Sequence, residues 1–125
     1  VLDHPEIAVG IKTAHYWVTE PFDAVHTPWA AVDAAIAAAE MCGKPVMYDF
    51  WPRPERPYDA LLLQKARPGD IHTHVFAQQF PIVGDDGKPN AFLFEARERG
   101  VIFDVGHGAA SFWYRNAAPA MAGGF

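Results

Sequence analysis

The sequence predicts an α/β fold in which short parallel strands alternate with helices. Three observations carry this. Apolar runs too short for helices start near residues 7, 45, 70 and 101. Stretches of helical character lie between them. Glycine, proline, asparagine and threonine punctuate nearly every junction. Strands that are apolar on both faces are what a parallel sheet covered by helices requires.

Taken in order, Ile7-Ala8-Val9-Gly10-Ile11 reads as the first buried strand. The next helix has Thr27 as its expected N-cap, Pro28 at its first position and Gly43 at its stop. Between them, the alanine-rich stretch from Trp29 to Cys42 has high helix propensity. Pro45-Val46-Met47-Tyr48-Asp49 is the second strand, and Pro52, Pro54 and Pro57 stiffen the loop beyond it. Tyr58 to Ala66 forms a short amphipathic helix that Pro68-Gly69 ends. The third strand is Asp70 to Val75, followed by a long loop with a turn at Asp85-Asp86-Gly87. Asn90 is placed to cap a helix over Ala91 to Arg99, closed by Gly100. Val101 to Val105 is the fourth strand, broken by Gly106-His107-Gly108, and Asn116 is expected to cap a last short helix in which Pro119 falls in the first turn. This rhythm suits a barrel or a doubly wound sheet, and periodicity does not choose between them.

Composition narrows the function. The chain has 125 residues, 50% hydrophobic and 20% charged, with a net charge of -5. It has no basic stripe, which argues against nucleic acid and anionic membranes as partners. No apolar run approaches the roughly 18–20 residues of a membrane span. The single cysteine, Cys42, fits a reducing, cytoplasmic setting and reads as a packing residue. Trp29, Trp51 and Trp113 read as core and pocket wall. The chain starts at Val1 and stops at Ala122-Gly123-Gly124-Phe125, so the expectation is one piece, residues 1–125, of a single larger domain.

The chemistry sits at the strand ends. Lys12, Asp49, His74 and, just past the fourth strand, His107 each stand at the C-terminal edge of a predicted strand. In both parallel architectures that edge binds ligands. Lys12 reads either as a lysine snorkelling from the sheet end or as an amine buried in a barrel mouth, where carbamylation by carbon dioxide turns it into a metal-bridging carboxylate. His74 is a candidate ligand for zinc or another transition metal, set against a hydrogen-bonded structural histidine. His72, two residues earlier, shares its face in a regular strand and is expected to fill a barrel layer. Asp49 is a metal or water ligand, or else a partner of Arg53 or Arg56. His107, between glycines that permit close backbone approach, is a candidate substrate contact. His15 and Tyr16 follow Lys12 directly and share its rim, where His15 is a second candidate substrate contact.

The runs GKPVMYDF, ARPGDIHTHVF and EARERGVIFDVGHGAASF, with GIK near the start, resemble the amidohydrolase superfamily, in its dihydroorotase-like amidohydrolase/deacetylase branch. The resemblance covers roughly Ile7 to Phe125. It implies a partial TIM (β/α)8 barrel of about four β/α units, strands four to seven of the parent barrel. It also implies one or two divalent metals, usually zinc, that activate water for attack on an amide or ester carbonyl. By the same resemblance, Lys12 matches the carboxylated bridging lysine, His74 the metal-binding histidine of the sixth strand, and His107 the histidine near the substrate. Asp49 departs from the family pattern, which has a histidine there, and stands as a replacement ligand. The resemblance also implies that the family's first-strand HxH pair would lie before Val1, and its general-base aspartate, on the eighth strand, after Phe125. The expected function is metal-dependent hydrolysis of a C–N bond or an acetyl ester in a small-molecule substrate. The alternative is a non-catalytic β/α domain that binds a small ligand at a degenerate metal site. A half-barrel also leaves strand edges and an inner face uncovered, so self-association into a homo-oligomer is expected.

Overall fold

The computed structural model describes residues 1–14 and 22–125. Strands β1 (Ile11–Thr13), β2 (Val46–Tyr48), β3 (Ile71–His72) and β4 (Ile102–Phe103) form one four-stranded sheet in the order β1-β2-β3-β4, every pair parallel. Helices α1 (Ala30–Cys42), α2 (Tyr58–Ala60), α3 (Ala91–Glu98) and α4 (Tyr114–Ala122) intervene, and α2 continues directly as a π-helical turn, Leu61–Lys65. The order never reverses, as in successive units of a barrel, whereas a doubly wound sheet reverses at its switch point. Among the described residues, no helix is long and apolar enough to cross a membrane.

Alternation along the strands separates two faces. Register aligns Thr13, Tyr48, His72 and Phe103 in one row. Thr13, Tyr48 and His72 are buried, and the row packs into a core with Leu61, Leu62, Phe80, Ile82 and Leu93 on the helix side. The other row is Lys12, Met47, Ile71 and Ile102. It faces away from the helices, and Ile102 is 52% exposed. Among the described residues, helices cover one face of the sheet, which is half of the barrel layering.

Asp70 ties the N-terminal edge of this sheet together. Its carboxylate is 1% exposed and accepts hydrogen bonds from the Val46 amide (2.9 Å), the Tyr48 hydroxyl (2.7 Å), and the amide, Nε and Nη2 of Arg67 (3.0, 3.2 and 3.0 Å). Burial alone would raise this carboxyl, but those donors more than offset it and hold it below the usual carboxylate value.

Several junctions differ from expectation. The first strand is Ile11–Thr13, not residues 7–11: Ile7 and Val9 are 75% and 74% exposed, and pairing with β2 fixes the strand where the apolar run alone does not. Thr27 does not cap α1. Its carbonyl accepts the Ala30 amide in a preceding turn, and Trp29 holds the cap position. Gly43 ends that helix as expected, in the left-handed conformation at φ 62° that glycine tolerates best. The expected helix over 58–66 is mostly the π turn, whose wider closure buries the adjacent Leu61 and Leu62. Asn90 sits at the cap position of α3, but its side chain donates to the Pro81 carbonyl instead. Asn116 is not a cap. It lies inside α4, buried, and donates to the carbonyls of Ala77 and Phe80, tying the helix to that loop. Pro119 therefore falls beyond the first turn of the helix.

Candidate active site

Lys12 is the middle residue of β1, not at its C-terminal edge as the sequence suggested, because pairing with β2 extends the strand to Thr13, whereas Asp49 follows β2 directly as expected. Their side chains meet on the helix-free face, with Lys12 Nζ 3.3 Å from Asp49 Oδ2. The row above the strands holds Asp49, Thr73 and Asp104, whose backbone amides donate hydrogen bonds to the carbonyls of Thr13, Tyr48 and His72 on the neighbouring strands. Thr73 Oγ1 donates to Asp104 Oδ2 at 2.5 Å.

In an unbroken strand, His74 would point with His72 toward the helices. It does not, because its backbone is left-handed, with φ 60° in a non-glycine residue. This kink undoes the alternation. His72 is fully buried between Tyr58, Phe80 and Phe103, with Nδ1 3.3 Å from the Tyr48 carbonyl. His74 instead swings to the other side, where Nδ1 lies 3.3 Å from Asp49 Oδ1. The expected shared face of the two histidines is thus corrected, and His72 fills the layer between sheet and helices rather than the barrel interior.

The Asp49 side chain is 15% exposed. Burial alone would raise its carboxyl, but the Lys12 ammonium and the His74 ring hold it below the usual carboxylate value. An ionised carboxylate only accepts, so the neutral His74 ring carries its proton on Nδ1 and keeps the Nε2 lone pair. Asp49 therefore bonds to both Lys12 and His74, a pairing that sequence spacing did not point to.

A cavity of about 320 Å³ opens beside this cluster, lined by Asp49, Trp51, His74 and Gln79 together with the loop from Gly108 to Ser111. Gln79 and the loop wall were not singled out in the sequence, because neutral loop residues give no spacing signal. His107 is exposed and stacks on Phe112 with ring centroids 5.0 Å apart, next to this wall but not part of the lining. His15 lies outside the described residues.

The donor set suits a divalent metal in part. A carboxylate and an imidazole are ordinary zinc ligands, and an amine becomes a third oxygen donor only as its carbamate. Among the described residues, no group of three His, Cys, Asp or Glu side chains could hold a metal ion.

No protein-family model matches this sequence, and no curated protein matches it. Solved structures do match, among them these two. An adenine deaminase superposes with a TM-score of 0.79 at 25% identity over 98% of this chain and 33% of that chain. A dihydroorotase superposes with a TM-score of 0.72 at 30% identity over 98% of this chain and 32% of that chain. The chain thus spans about a third of the length of the structures it matches. Both are amidohydrolase superfamily members of the TIM-barrel type. The chain is similar to both in fold, a part of an amidohydrolase-type barrel.

Proposed function

We propose that this chain carries one side of the active site of a metal-dependent hydrolase that cleaves a C–N bond. The observation that carries the reading is the convergence of Lys12, Asp49 and His74, from three successive β/α units, at 3.3 Å contacts beside a cavity. The likeness to a deaminase and a dihydroorotase supports hydrolysis of C–N bonds over the acetyl ester that the branch also allows.

In this reading Lys12, as its carbamate, Asp49 and His74 are the donors for one or two divalent metals, zinc by donor chemistry. The metal would supply Lewis acidity toward water and the substrate carbonyl. The chain's residues do the rest. Asp49 accepts a hydrogen bond from Nδ1–H of His74, which orients the ring and leaves the Nε2 lone pair for a metal. Carbamylation replaces the Lys12 cation with an anion beside Asp49, and the two anions repel unless a cation lies between them. Metal and carbamate therefore bind together. Trp51 and the 108–111 loop wall the cavity and limit water, and Gln79 offers an amide to the substrate. His107 and His15 are substrate contacts in this scheme, with His107 reaching the substrate from the loop beside the cavity. The site is set in a cytoplasmic enzyme acting on a small molecule.

One observation favours a second reading. As a plain ion pair, Lys12 and Asp49 neutralise each other and need no metal, which suits a non-catalytic domain that binds a small ligand. Metal content separates the two. The protein purified without chelators should contain zinc, manganese or iron by elemental analysis, and Lys12→Ala should lose it. A metal-free wild-type protein, or a Lys12→Ala protein with undiminished metal, refutes the hydrolase reading.

A further inference from the structure

His74 does not hold its position alone. Asp104 bridges the ends of β3 and β4: its amide donates to the His72 carbonyl (2.9 Å) and its carbonyl accepts the Val75 amide (3.1 Å), while its carboxylate accepts the Thr73 hydroxyl. These bonds bracket the left-handed residue on both sides. Gly106 closes the bracket from above. A Cβ built there would overlap Thr73 Oγ1 and lie 2.6 Å from His74 Cδ2 and 3.0 Å from Asp104 Oδ2. Gly106 itself has φ 49°, so a side chain at this position meets strain as well as collision.

The two contacts on the His74 ring fall on different edges. Asp49 meets Nδ1, and on the Cδ2 side the space beside Gly106 is too narrow to admit a Cβ. Rotation about the last side-chain bond of histidine is otherwise broad and roughly two-fold. Held at both positions, the ring keeps one orientation, with the Nε2–Cε1 edge turned away from both contacts.

We propose that Thr73, Asp104 and Gly106 are positioning residues that fix the His74 backbone kink and ring orientation, and so set the imidazole donor of the site. The proposal rests on the metal reading above only for what His74 donates to. The bracket itself is read from the contacts.

The test uses the purified chain and two measurements. The first is zinc affinity by competition with a chromogenic chelator, for wild type, Gly106→Ala, Thr73→Val and Thr73→Ser. Thr73→Val keeps the shape and removes the hydroxyl, and Thr73→Ser restores it. Gly106→Ala and Thr73→Val should each weaken zinc binding by about 10–100-fold, the usual effect of removing an outer partner of a ligand, while Thr73→Ser stays near wild type. Equal zinc affinity in all four proteins overturns the proposal. The second measurement is the His74 tautomer in the metal-free chain by nitrogen-15 NMR. Wild type should show the Nδ1-protonated form, and Gly106→Ala a mixture. If wild type binds no zinc, the metal reading fails, and the tautomer still decides: an unchanged signal in Gly106→Ala overturns the positioning role, and a mixed one supports it.

Discussion

Asp70→Ala should be among the most damaging substitutions in this chain. The carboxylate is 1% exposed and accepts five hydrogen bonds, from Val46, Tyr48 and three groups of Arg67. Removing it leaves the buried Tyr48 hydroxyl and the Val46 amide without their acceptor, each costing about 1–3 kcal/mol. Breaking a buried ion pair by deleting one partner costs about 3–5 kcal/mol. The Arg67 side chain is 27% exposed, so water recovers part of its loss and the lower end of that range applies. Taken at their lower ends these costs add to about 5 kcal/mol, comparable to the roughly 5–15 kcal/mol that holds a domain folded. Asp70→Asn keeps one acceptor oxygen and loses the charge, so it should fall between Ala and wild type. Equilibrium urea unfolding reads this as a lower midpoint at unchanged slope. The acid limb provides a second check. The folded carboxyl lies below its unfolded value near 3.8, so its contribution is complete above that pH and is lost as pH falls through the lower folded value. Asp70→Ala should lack that part of the acid transition. A loss of less than about 1 kcal/mol would refute the reasoning, because it would mean the network carries no more than one ordinary hydrogen bond.

Two further predictions concern buried and strained positions. Burial lowers the His72 imidazole from 6.5 to about 4. Between those values the unfolded chain binds a proton that the folded chain refuses, so stability should drop as pH falls from 6.5 to about 4, by about 3 kcal/mol in all. His72→Phe fits the aromatic surroundings, and its urea midpoint should change less between pH 7 and pH 5; a slope equal to wild type contradicts the assignment. Gly43→Ala meets no atom within 4 Å but must adopt φ 62°. It should cost about 1 kcal/mol by urea unfolding, and a neutral result would show that the turn relaxes at no cost.

How much was legible in the sequence follows from which interactions are local. The element order, the Gly43 stop and the strand-end placement of Asp49 and His74 could be read, because apolar run length and glycine punctuation are properties of neighbouring residues. Caps were read less well. Thr27, Asn90 and Asn116 are all chemically able to cap, but the latter two side chains bond to the carbonyls of Pro81, Ala77 and Phe80 instead. A distant carbonyl competes with the helix end, and sequence spacing does not show it.

The site divides in the same way. By itself the sequence determined that Asp49 and His74 lie past the C-terminal ends of their strands, but not that Lys12 sits inside β1, because pairing with β2 and not the apolar run fixes that strand. Tertiary structure alone decided that the strands run in one unreversed order with helices on a single face. It also decided that His72 and His74, two residues apart, end on opposite sides of the sheet. The cause is a single left-handed φ of 60° at His74. That angle is held by Asp104 and Gly106, some thirty residues further along the chain. A backbone conformation that costs energy locally persists only where surrounding contacts over-determine it, and those contacts exist only once β3 and β4 have paired.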